Sequence, residues 1–196
     1  MKRVLAISLI ALGLSFSVVA QEHSPRSPNT PASAPPANTP PATPATDAMG
    51  WVKFASDEGR FSVLVPEIPT DKTETKDSQH GPYTTHLFIV RDTNSVYLIG
   101  WVDYHPDFNF NRQVELEANR DNFVKGIGAS LISSQASVID GYSAIEFTAE
   151  TVDRIFKSRV YMVGRRPYQI VIGTPKGVDE SVKKNRFFES FKITKR

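Results

Sequence analysis

The stretch YSAIEFTAETVDRIFKSRVYMV, residues 142–163, reads as two strands joined by a tight turn. Pairing Thr151 with Arg154 across Val152 and Asp153 places Ile145, Phe147, Ala149, Phe156, Ser158 and Val160 on one face. The same register sets Glu146 opposite Arg159 on the other, so hydrophobic pattern and charge select one alignment. Working outward, Ser130–Ile139 and Pro167–Gly173 are also β-like, which predicts an antiparallel meander from Ser130 to Gly173.

Upstream, Gly50–Phe54 and Arg60–Val65 are two short β-runs around the turn-forming Ser56-Asp57-Glu58-Gly59, and Pro66 and Pro69 end the second. Tyr83–Val90 and Val96–Tyr104 predict a hairpin across Arg91–Ser95. Leu87, Ile89, Tyr97 and Ile99 fall on one alternation class, Phe88, Val90, Val96 and Leu98 on the other, so both faces are covered and the strands are central. Asn109 or Asn111 caps a helix running to about Gly126, with Val114, Leu116, Phe123, Val124 and Ile127 as an imperfect apolar stripe. A second helix begins near Val178 and carries Val182, Phe187, Phe188 and Phe191. The fold class is therefore α+β: an antiparallel sheet flanked by helices.

The N-terminus has a different character. Lys2 and Arg3 precede an uncharged, mainly apolar run from Val4 to Ala20, and Val18 and Ala20 are the small residues that suit cleavage between Ala20 and Gln21. Residues 1–20 are thus read as a signal peptide, giving a periplasmic or secreted protein in a bacterium, with no transmembrane span once the signal is removed. Residues 21–49 hold eight prolines among Ala, Thr, Ser and Asn, with no large apolar residue before Met49. Such sequence favours extended polyproline II and forms a spacer, leaving residues 50–196 as one domain. Cysteine is absent, which excludes disulfides, thiol catalysis and cysteine-based metal sites.

Lys2 and Arg3 account for the formal net charge of +2, so the chain from Gln21 onward is neutral. Its charge is uneven: Trp51–Val152 has 8 basic and 15 acidic residues, whereas Asp153–Arg196 has 12 basic and 4 acidic. Either the C-terminal third forms a cationic patch, or strands from the two halves interleave and the charges pair in space.

Several phrases carry a resemblance. Trp51–Gly59 is followed by Arg60–Pro66; then come Tyr97–Asp103, Asp140–Phe147, Arg159-Val160-Tyr161, Pro167–Ile170 and Phe187–Phe191. In this order they resemble exported bacterial members of the PsbP-like superfamily, which includes the photosystem II extrinsic protein and DcrB-type envelope proteins. The resemblance spans Gly50–Ile193 and implies an antiparallel sheet between helices. The motifs are structural, and the superfamily has no shared enzymatic activity. It therefore implies a binding or accessory role, with an envelope protein or a small ligand as partner.

The chemistry-bearing candidates are few. Asp103, His105 and Asp107 alternate where a central strand ends, so they form a candidate metal or acid/base cluster; the other reading of this segment is an irregular, solvated connection into the helix. His86 falls opposite Gly100 on an apolar face, as a buried histidine, and His80 lies in a polar loop. Trp51, Phe54, Trp101, Tyr104, Phe108 and Phe110 either line a groove or pack in the core. No Gly-x-Ser-x-Gly elbow is present, and Gly126-Ile127-Gly128 lacks the third glycine and preceding strand of a dinucleotide loop. Arg165-Arg166-Pro167-Tyr168 reads as a tight turn rather than a nucleic-acid contact. The expectation is a monomeric, non-enzymatic binding or accessory protein without a cofactor; the alternative is a metal-binding protein or metal-dependent enzyme using Asp103, His105 and Asp107.

Overall fold

The computed structural model describes residues 46–78, 81–109 and 111–194. The predicted signal peptide, residues 21–45 of the predicted spacer, His80 and Phe110 lie outside them. In chain order the elements are β1 (Val52–Ser56), β2 (Phe61–Val65), β3 (Thr70–Lys76), β4 (Tyr83–Arg91), β5 (Val96–Tyr104), α1 (Arg112–Gly126), β6 (Ser130–Ile139), β7 (Tyr142–Glu150), β8 (Arg154–Val163), β9 (Arg166–Pro175), α2 (Ser181–Ser190) and β10 (Lys192–Ile193). Seven strands form one antiparallel sheet in the order β3-β4-β5-β9-β8-β7-β6, and β1-β2-β10 form a small second one.

The β7–β8 register is the one read from the sequence. Glu146 pairs with Arg159 and Ile145 with Val160, and the Thr151 N–H donates to the Arg154 carbonyl at 3.0 Å across the turn. Ile145, Phe147, Ala149, Phe156, Ser158 and Val160 are all buried. At the β6–β7 turn, Asp140 and Gly141 both have positive φ, 53° and 83°. That is the twist a two-residue hairpin turn needs, and Asp and Gly tolerate it best.

Two cores lie on the two faces of the large sheet. On one, Leu98, Val102, Phe147, Phe156, Val160 and Val171 pack with Leu116 and Phe123 of α1. On the other, Tyr97, Ile99, Trp101 and Ile170 pack with Phe61, Val63 and Val65 of the small sheet and with Phe187, Phe188 and Phe191 at α2 and its end. Asn111 caps α1, its Oδ1 accepting the N–H groups of Gln113 and Val114.

The β4–β5 hairpin differs from expectation by one residue. Arg91 pairs with Val96 and His86 with Trp101, not Gly100. Asp92 closes the turn: its N–H donates to the Ser95 carbonyl at 3.0 Å, and its Oδ1 accepts the N–H groups of Asn94 and Ser95 at 3.0 and 2.7 Å. The loop is therefore Asp92–Ser95, and Phe88, Val90, Tyr97 and Ile99 share the face toward the small sheet. Because both faces are apolar, side-chain pattern alone does not choose between the registers. The second helix begins at Ser181 rather than near Val178, and Val182 is exposed. The sequence reading missed β3 and β10; β3 is a charged edge strand with no alternation, and β10 is two residues long.

Candidate functional site

Asp103, near the end of β5, is held by cations and donors. Its Oδ1 accepts from Arg166 Nε at 2.7 Å and Nη2 at 2.6 Å, and its Oδ2 from the Trp101 indole at 3.0 Å. His86 Nε2 lies 3.4 Å from that same Oδ2 and 3.8 Å from Glu58 Oε1. The buried His86 ring stacks on Trp101, with centroids 4.2 Å apart and planes at 6°. Arg166 also donates to the Glu58 carbonyl at 2.8 Å, fixing the β1–β2 turn against β9.

His105 and Asp107 form a separate, exposed pair beyond the strand end, with Nδ1 3.5 Å from Oδ2. The structure thus divides the three candidates between two places, because Arg166 and Trp101 hold Asp103 beside His86. Among the described residues, no group of three or more His, Asp and Glu side chains is arranged to hold a metal ion. Arg165 donates to the carbonyls of His105 and Phe108, so both arginines of the Arg165-Arg166 turn serve the fold.

The candidate aromatic groove is core instead. Trp51, Trp101 and Phe108 are almost completely buried; Phe54 packs edge-on to Phe88 at 4.8 Å; and Tyr104 stacks on Phe108 at 4.6 Å. Among the described residues these rings pack on one another, with Phe54 and Tyr104 half-buried, rather than lining an open groove. Below Tyr104, its hydroxyl donates to Glu115, a fully buried carboxyl that also accepts from Asn119 Nδ2 at 2.9 Å. Burial pushes the Glu115 carboxyl above the usual carboxylate range, opposed by the bonds from Tyr104 and Asn119. Neither Glu115 Oε2 nor Asn119 Oδ1 has a hydrogen-bond partner.

Charge in the C-terminal third is resolved by the interleaved sheet. Arg159 pairs with Glu146 at 2.7 Å, Lys176 with Glu150 at 3.0 Å, Lys183 with Asp92 at 3.1 Å and Lys192 with Asp140 at 3.2 Å; Arg154, Arg166 and Arg186 pair with Asp153, Asp103 and Asp47. Among the described lysines of this third, Lys157 and Lys184 make no ion-pair contact, although the charge of Lys184 still helps to lower the Asp179 pKa. Both line one open cleft of about 410 Å³ between strands β6–β8 and α2.

The cleft is polar. Ser133 and Gln135 come from β6, Thr148 from β7 and Asn185 from α2. Its floor holds the Glu146–Arg159 pair, with the guanidinium 4.8 Å from the centroid of the Phe188 ring. A smaller cavity of about 170 Å³ continues past Lys157 and Lys184 toward Ile172 and Thr174. The uneven charge of the chain pointed to this region, but which two lysines stay unpaired depends on tertiary structure.

No family model matches the chain, and no curated protein matches it by sequence. Among solved structures, cyanobacterial PsbP (CyanoP) from Synechocystis sp. PCC 6803 aligns over 82% of this chain and 99% of its own, with a TM-score of 0.52 and 13% identity. A Bacteroides thetaiotaomicron structure aligns over 74% of this chain and 48% of its own, with a TM-score of 0.36 and 17% identity. Among the described residues no helix is long and apolar enough to cross a membrane. A seven-stranded antiparallel sheet with α1 on one face and the small sheet and α2 on the other is a PsbP-like fold.

Proposed function

We propose that this protein is an exported, non-enzymatic binding or accessory module, periplasmic or secreted, whose ligand site is the cleft beside α2. The observation that carries this reading is the pair Lys157 and Lys184: two cations with no carboxylate in ion-pair contact, facing one cleft lined mainly by hydroxyl and amide groups with Glu189 at its α2 side. A carboxylate- or phosphate-bearing ligand supplies the missing charge, and Ser133, Thr148 and Asn185 supply hydrogen bonds that orient it. The lining carries hydroxyl, amide and lysine groups, and its Glu146 carboxylate is held by Arg159, an arrangement suited to holding an anion. Cleavage after Ala20 would leave a proline-rich spacer ending at about residue 45, since Thr46 bridges Val52 and Asp47 pairs with Arg186, letting the domain stand away from whatever its N-terminus contacts.

The test is a broad panel of ester, phosphate and glycan substrates, run beside calorimetry with inorganic phosphate, citrate, zinc, manganese and calcium. The reading expects no turnover, and heat from phosphate or citrate that disappears in the double variant Lys157→Ala, Lys184→Ala. Saturable hydrolysis, or zinc binding lost in Asp103→Ala and His105→Ala, would instead support the metal-dependent alternative.

A further inference from the structure

The two edges of the large sheet are built differently. Edge strand β3 carries Asp71, Lys72, Glu74 and Lys76, the kind of charged edge that discourages another strand from adding. Edge strand β6, SLISSQASVI, runs ten residues without a charge or a proline. Among the described residues it pairs only with β7, so within them the backbone N–H and C=O groups along its outer side have no strand partner. Its apolar side chains stand out to solvent: Leu131 is 41%, Ile132 56% and Val138 74% exposed.

The polarity of this strand is symmetric about its middle. Leu131-Ile132 at one end and Val138-Ile139 at the other flank five small or polar residues centred on Gln135. In an antiparallel pair of identical strands, the twofold axis brings one end of each strand against the opposite end of its mate. Symmetry of this kind therefore sets apolar against apolar, polar against polar, and opposes no like charges.

We propose that β6 pairs antiparallel with β6 of a second copy, about a twofold axis through Gln135, joining two seven-stranded sheets into one. Gln135 then faces its own counterpart, Ser134 faces Ala136, and Ser133 faces Ser137, each pair lying on one face of the joined sheet. The register shift between Leu131 and Ser133 lies outside the Ser133–Ser137 segment, so the central pairs form without it. Only the charged β3 edges remain outside, so assembly stops at two chains. This replaces the monomer expected from sequence, and the two α2 clefts open side by side on one face.

Sedimentation equilibrium of the purified chain from micromolar to millimolar loading tests it. The wild type sediments with the mass of two chains and dissociates on dilution. Gln135→Lys and Gln135→Glu, changes at an exposed position, each weaken the dimer by at least about tenfold because like charges meet at the axis. Mixing the two variants restores the two-chain mass. A wild type with the mass of one chain throughout, variants as dimeric as the wild type, or a mixture that stays monomeric overturns the proposal. So does a monomer whose β6 amides already resist hydrogen exchange, since that would put another segment of the same chain on this edge.

Discussion

Glu146 and Arg159 face each other directly across β7 and β8, with Arg159 Nε 2.7 Å from Glu146 Oε2, while their neighbours Phe147 and Val160 point through the sheet into the α1 core. The ion pair is half-buried, with side chains 43% and 27% exposed. Burial acts to lower the Arg159 pKa, but the bond and charge of Glu146 and the nearby Tyr161 raise it overall. One hairpin thus presents a charged face to the cleft and an apolar face to the core.

The two faces differ in energetic weight. Phe156→Ala removes a buried ring that meets Phe123 edge-on at 6.0 Å, and should cost about 3–5 kcal/mol. Glu146→Gln should cost under about 1 kcal/mol, because solvent reaches both partners. Denaturant unfolding of the two variants measures both, and a larger loss for Glu146→Gln would contradict this division.

Glu115 makes stability depend on pH. Its folded pKa is raised, burial being the largest cause. Its contribution is therefore fully present below the unfolded value of about 4.3 and is lost as pH rises through the folded value. Glu115→Gln keeps the group neutral, so the variant should lose less stability than wild type as pH increases. Unfolding free energies across the acidic to neutral range check this; parallel profiles would contradict it.

Gly59 should not accept a side chain. A Cβ there would sit 2.6 Å from the Phe61 ring and 2.8 Å from the Trp101 ring, both buried. Gly59→Ala should cost about 1–3 kcal/mol by overpacking, read as a lower denaturation midpoint at unchanged slope.

Legibility followed one-sided burial. Around the Glu146–Arg159 pair, β7 and β8 carry Glu146, Thr148, Lys157 and Arg159 on the cleft face and Ile145, Phe147, Phe156 and Val160 on the core face, so this part of the hairpin has one sensible register. β4 and β5 are apolar on both faces; there the four-residue turn closed by Asp92 decides the register, and a sequence pattern does not reveal its length. β3 is hidden because Thr, Asp, Lys and Glu mark an exposed edge as readily as a loop. The cleft is hidden for another reason. Lys157 and Lys184 stand on different elements, and nothing near either one in sequence shows that Lys176, Lys183 and Lys192 make ion-pair contacts and these two do not.

Export makes a separate prediction. Cleavage between Ala20 and Gln21 gives a mature chain starting at Gln21, visible by mass spectrometry of the periplasmic or secreted fraction. Intact Met1 in a membrane pellet would contradict it.

Amide chemical-shift mapping tests the central claim, that the cleft beside α2 is the binding face. Titrating the isotope-labelled protein with citrate or inorganic phosphate should move the signals of Ser133, Thr148, Lys157, Lys184 and Asn185, saturably, and the shifts should vanish in the Lys157→Ala, Lys184→Ala variant. Shifts centred instead on His86, Asp103 and Arg166, or none at millimolar ligand, would contradict the account.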